Sequence, residues 1–191
     1  MEARQPFSRL GWALFAQMAV MLAAQWGVLL LARAARPGLL GEPVFLWAAS
    51  VLGAYGLGIP AACLVLRGTA APPAPARRPL GPVRFATLWA GSVGLACLAN
   101  GATLLLTGLL GRLRGAAVVN PVESIGLYPL PFQLLLAGLI APAAEELLFR
   151  RLLLRRLRPY GERFALVASA LCFGLFHGNL NQFFYTFLLG L

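Results

Sequence analysis

The stretch LGWALFAQMAVMLAAQWGVLLLA, Leu10 to Ala32, contains two glutamines, Gln17 and Gln25, and no charge. A helix rising about 1.5 Å per residue needs roughly 20 apolar residues to cross the ~30 Å hydrocarbon layer of a bilayer, so this run is long enough. It is too long for the apolar region of a signal peptide, and no small-residue cleavage site follows it. The stretch therefore reads as a first membrane span retained in the mature chain.

Working outward, the pattern repeats. A turn at Arg36, Pro37 and Gly38 leads to a second apolar run, Val44 to Leu66, and a third covers Phe85 to Leu110. A fourth begins near Pro131, a residue suited to the first helical turn, and continues to Arg158, where Pro159 and Gly161 stop it. A fifth covers Phe164 to His177 and beyond, and the sixth, Asn181 to Leu191, is about half a crossing. The expectation is an all-α fold, a polytopic transmembrane helical bundle of five full spans and a partial sixth. Leu188 to Leu191 ends without a charged flank, an interfacial aromatic or a cap, so the sequence reads as truncated or as part of a longer protein. Between the second and third spans, Arg67 to Arg84 includes APPAPARRP, too proline-dense for a helix and read as a semi-rigid extramembrane linker. The chain is thus expected to divide into N-terminal spans over 1–130, with the linker at 67–84, and a motif-bearing core over 131–191.

Composition agrees. Of the 191 residues 60% are apolar and 12% charged, against about 45–50% and about 25% in an average soluble domain. The basic residues are all arginine and the acids all glutamate, with a formal charge of +10. In a soluble protein that charge would suggest nucleic acid, but these arginines sit at the ends of apolar runs and form no soluble basic face, which excludes a nucleic-acid partner. Arg4, Arg9, Arg67, Arg77, Arg78, Arg84 and the cluster from Arg150 to Arg163 outweigh Arg33, Arg36, Arg112 and Arg114. The positive-inside bias therefore puts the N-terminus in the cytoplasm of a multi-pass cell-membrane protein. Cys63, Cys97 and Cys172 fall inside apolar runs, make neither a disulfide framework nor a zinc knuckle, and are expected to be small core residues.

Two patterns carry chemistry. In the fourth span LIAPAAEELLFR places Glu145 and Glu146 after a long uncharged run. A charge at the bilayer centre costs about 2.5–3.5 kcal/mol on insertion scales, so adjacent acids need compensation. Arg150 stands at i,i+4 from Glu146 on one helix face, with the acid on the favourable N-terminal side, while Glu145 points about 100° away. Two carboxylates in unlike surroundings can supply one poised for acid–base work; two carboxylates merely solvated at the cytosolic interface are the plain alternative. In the fifth span FGLFHGNLNQ contains the chain's one histidine, His177, with Phe173 and Asn181 expected one turn away on either side of one face. Gly174 and Gly178 read as a small-xxx-small pair admitting a neighbouring backbone. A packing histidine between helices is the plain reading; the functional one pairs it with the acids, a glutamate activating water while His177 and Asn181 polarise a carbonyl. The same residues could ligate a divalent metal such as zinc, but zinc sites usually take three protein ligands and no second histidine is present.

Glu145-Glu146-Leu-Leu-Phe-Arg150 resembles the EExxxR motif, and Phe173-Gly-Leu-Phe-His177 the FxxxH motif, of the CAAX-protease and bacteriocin-processing family, similar to the type II CAAX prenyl endopeptidases. Order and spacing agree from about Leu139 to Leu191; the earlier residues are similar only in being hydrophobic spans. The resemblance implies a helical membrane protease with a recessed site reached from the cytosol. In it Glu145 is the catalytic glutamate, Glu146 and Arg150 its supporting pair, and His177 a catalytic or ligating histidine. It also implies a membrane-embedded or lipidated protein or peptide as substrate, with the bilayer as the other partner. Metal dependence stays open, with residue chemistry leaning toward glutamate-activated water. The family's third motif, a later histidine with Asn or Asp one turn on, finds no match before Leu191. Three functions compete: an intramembrane endopeptidase, a non-catalytic scaffold or bacteriocin self-immunity protein of the same fold, and a small transporter or proton relay.

Overall fold

A computed structural model describes residues 4–69, 72–73, 79–118, 125–126 and 128–191. The centre of the Pro/Arg-rich linker, with Arg77 and Arg78, and the loop positions Asn120 and Pro121 lie outside the described residues. Among the described residues all regular structure is helical. Helix α1 is Arg4–Ala35, α2 Pro43–Val65, α3 Pro82–Arg114, α4 Leu130–Tyr160, α5 Glu162–Phe176 and α6 Leu180–Gly190.

Helices α1 to α4 are long and apolar enough to cross a membrane, α1 from Phe7 to Ala35. Their outward faces carry large apolar side chains, such as Leu98 at 75% and Leu105 at 79% exposure on α3. In water such surface would drive aggregation; in a bilayer it is the solvated face. The chain is therefore an all-α, polytopic, multi-pass membrane protein. Among the described residues these four are the candidate spans, where five full spans and a partial sixth are expected from the sequence; α5 has 15 residues, roughly 22 Å of helix, and α6 as given has 11.

The chain divides into two compact units. The first comprises residues 1–70 and 126–148. Here α1 lies along α2, and the two glutamines that interrupt the first apolar run face α2. Gln17, 1% exposed, donates Nε2 to the Ala54 carbonyl at 3.4 Å, and Gln25 Nε2 reaches the Ser50 carbonyl at 3.4 Å. Residues Leu52–Gly58 are π-helical. Pro60 follows two residues later and cannot donate to the carbonyl of Gly56, so the preceding turn widens and opens acceptors to neighbouring side chains. The same device recurs in α4, where the π-helical Leu136–Ile140 precedes Pro142, again with a glycine, Gly138, four residues before the proline. At the near end of these two helices Trp47 stacks on Tyr128 at 5.4 Å and packs on Phe132 at 5.5 Å.

The second unit comprises residues 71–125 and 149–191, in which α6 packs on α3 and α5. The buried residues of these helices are mostly small: Ala99, Thr103 and Thr107 on α3, Ala165, Ser169, Ala170 and Gly174 on α5, and Thr186 and Gly190, beside Asn181, on α6. Small residues let helix backbones approach, which is the main source of packing energy when lipid removes the hydrophobic drive between helices. A Cβ on Gly174 would lie 3.0 Å from the Phe183 ring and 3.1 Å from its carbonyl oxygen. Gly174→Val is therefore expected to push α6 from α5 and to destabilise the protein by about 1–3 kcal/mol, read as a lowered thermal midpoint in detergent.

Cys63 and Cys97 are exposed and Cys172 half-buried, so the expectation of core cysteines is corrected. In an apolar solvent a thiol can face outward at little penalty, and burial no longer follows from hydrophobicity.

Candidate active site

Glu145 is the central residue of α4, and its carboxylate is half-buried. Tyr55, near the centre of α2, donates its hydroxyl to Glu145 Oε1 at 2.6 Å. That length is at the short end of the range for O–H···O hydrogen bonds. Glu146, one residue on, is exposed and opens a third π-helical stretch, Glu146–Leu154, which also contains Arg150. With more than four residues per turn, positions four apart stay close to one face. The Arg150 guanidinium donates to the Leu189 carbonyl of α6 at 3.3 Å.

His177 caps the C-terminus of α5. Its Nδ1 lies 2.9 Å from the Phe173 carbonyl oxygen. A carbonyl only accepts, so Nδ1 carries the hydrogen of that bond, and Nε2 is the ring nitrogen left for another partner. Aromatic side chains set the plane of the imidazole. The Phe173 ring meets it edge-on at 5.1 Å, Phe176 at 6.2 Å, and Phe149 of α4 packs on Phe173 at 5.1 Å and on Phe176 at 5.4 Å. Ser169 Oγ donates to the Phe149 carbonyl at 2.9 Å, another acceptor opened by a widened turn.

The expected continuation of α5 past His177 is corrected. Gly178 takes φ +64, a left-handed conformation that suits glycine and terminates a helix. Asn179 then caps α6: its Oδ1 accepts from the Gln182 backbone N–H at 2.9 Å, and its Nδ2 donates to the His177 carbonyl at 2.8 Å. Asn181 therefore stands in the first turn of α6, 4% exposed, and not one turn beyond His177 on one helix. Gly174 approaches Phe183 as a small residue should, whereas nothing lies within 4 Å of a Cβ on Gly178; the two glycines do different jobs.

Among the described residues no three His, Cys, Asp or Glu side chains are grouped as a metal site requires. Tyr55 is the functional candidate that sequence reasoning passed over. Its signal was present: a phenol in the middle of an apolar span, among Gly53, Gly56 and Gly58, needs a hydrogen-bond partner that lipid cannot supply.

No curated protein matches the chain, and no solved structure does. Both motifs, with Glu145, Glu146, Arg150, Phe173 and His177, fall within residues 128–191. Residues 128–191, about a third of the chain, match the family model described as Type II CAAX prenyl endopeptidase Rce1-like, a match that supports a protease-type activity in general.

Proposed function

We propose that the protein is an intramembrane endopeptidase that hydrolyses a peptide bond of a membrane-embedded or lipidated protein by glutamate-activated water. The observation that carries the reading is the family match over 128–191 with its acid pair, arginine and histidine in the family's order. Glu145 is the general base. It takes a proton from water, and the resulting hydroxide adds to the scissile carbonyl. His177, as imidazolium with Nδ1 committed to Phe173, donates from Nε2 to the developing oxyanion. The proton on Glu145 then passes to the leaving nitrogen, the C–N bond breaks, and an acid and an amine result. Glu146 and Arg150 are the supporting pair of the base that the family resemblance implies, and Asn181 is a further supporting polar group in this reading. No step is routed through a metal. The site opens to the cytoplasm, in keeping with the arginine bias.

The test reconstitutes the chain in liposomes with a fluorescent, internally quenched peptide ending in a prenylated CAAX sequence. Cleavage next to the prenylated residue is the expected result. Intact peptide, alongside binding of the same peptide to the liposomes, would instead favour the scaffold reading.

A further inference from the structure

The proposed function names a base but not what aims it. A glutamate side chain turns about three bonds, and a base that wanders loses most of the advantage of being in place. Tyr55 is on the opposite helix of the same unit, in the middle of α2, with its hydroxyl 2.6 Å from Glu145 Oε1. We propose that Tyr55 is a positioning residue for Glu145, holding Oε1 so that Oε2 receives the proton of the attacking water. This inference rests on the endopeptidase reading and goes beyond it.

Three observations favour positioning over packing. First, the attachment of α2 to this part of α4 is already provided at its near end, where Trp47 packs on Tyr128 and Phe132. Second, the backbone under Tyr55 is braced. It lies in the π-helical Leu52–Gly58, whose Ala54 carbonyl accepts from buried Gln17 of α1, and a Cβ on Gly58 would lie 3.0 Å from the Gln17 carbonyl. A donor that must hold a carboxylate to within a fraction of an ångström needs such a support. Third, Tyr55 and Glu145 sit near the middle of their respective spans, Pro43–Val65 and Leu130–Tyr160, where water is scarce and a fixed hydroxyl replaces solvent as the orienting group.

The experiment compares wild type, Tyr55→Phe, Glu145→Gln and the double variant, all as the full chain in liposomes. Phenylalanine keeps the ring and removes only the donor. Modification of Glu145 by dicyclohexylcarbodiimide, an apolar carboxyl reagent, is followed by mass spectrometry with Glu146 as internal reference; it needs no substrate. Kinetics on the quenched prenylated CAAX peptide supply the second readout.

In wild type the hydrogen bond donated by Tyr55 ties up an attacking lone pair of Glu145 and is expected to slow its reaction. Tyr55→Phe is expected to speed the reaction at Glu145 alone and to lower kcat roughly tenfold, the size of one hydrogen bond to a charged group, with KM unchanged. The same substitution on the Glu145→Gln background is expected to change nothing further. Wild-type labelling and kcat in Tyr55→Phe, or a lowered thermal midpoint alone, would overturn this inference while leaving the endopeptidase reading intact if Glu145→Gln is inactive. Full activity of Glu145→Gln would overturn both.

Discussion

Glu145→Gln is expected to lower kcat on the prenylated CAAX peptide by roughly 10²–10⁴-fold, the usual contribution of a positioned general base. The amide has the shape of the carboxylate, and its carbonyl oxygen can still accept from the Tyr55 hydroxyl. What it loses is the capacity to take a proton from water. Because α2 and α4 keep their packing at Trp47, Tyr128 and Phe132, the thermal midpoint is expected to change little, and KM with it. A loss confined to kcat identifies an interaction made in the transition state. Parallel falls in kcat and in folded yield would instead mark Glu145 as structural.

His177→Ala is the second large effect. It is expected to reduce kcat by roughly 10²–10³-fold, the range for loss of one donor to an oxyanion. The geometry allows a check on the role. With Nδ1 held by the Phe173 carbonyl, only Nε2 is available to substrate. His177→Asn, whose amide can still donate in part, is expected to retain more activity than the alanine variant. The imidazole also fills space between Phe173 and Phe176, so His177→Ala is expected to lower the thermal midpoint slightly. His177→Phe, which keeps the ring and loses the donor, separates the two contributions: it should be as inactive as alanine and more stable.

Much of this protein is legible in its chain because the relevant physics is local. Leu10 to Ala32 must be a spanning helix whatever surrounds it, since an apolar run of that length leaves every backbone polar group to be satisfied within the helix. The same holds for α2, α3 and α4, whose ends fall close to the turn residues and prolines that mark them. Glu145, Glu146, Arg150 and His177 stand out for a related reason: an ionisable group in an apolar run is costly at that position alone, so its presence asks for a purpose.

Other features depended on tertiary structure or on weighing rival local signals. The sequence around Gly178 is compatible with a helix that continues and one that stops. Gly174 and Gly178 suggested a packing pair on one continuing helix; the capping bonds of Asn179 and the packing of α6 on α3 and α5 decide for the stop. The π-helical turns were not foreseen, although a proline two residues past Leu52–Gly58 and another past Leu136–Ile140 supplied a cause. Cys63 and Cys97 were misplaced because in lipid hydrophobicity no longer separates inside from outside.

The sequence by itself determined that the chain is helical, lies in a membrane and carries an acid pair and a histidine within apolar runs. Only the tertiary structure decided where α5 ends, which glutamines brace α2 and which hydroxyl meets Glu145. The physical reason is reach: apolar length and charge are properties of a segment, whereas the bond from Tyr55 to Glu145 joins residues far apart in the chain and exists only once two helices are side by side.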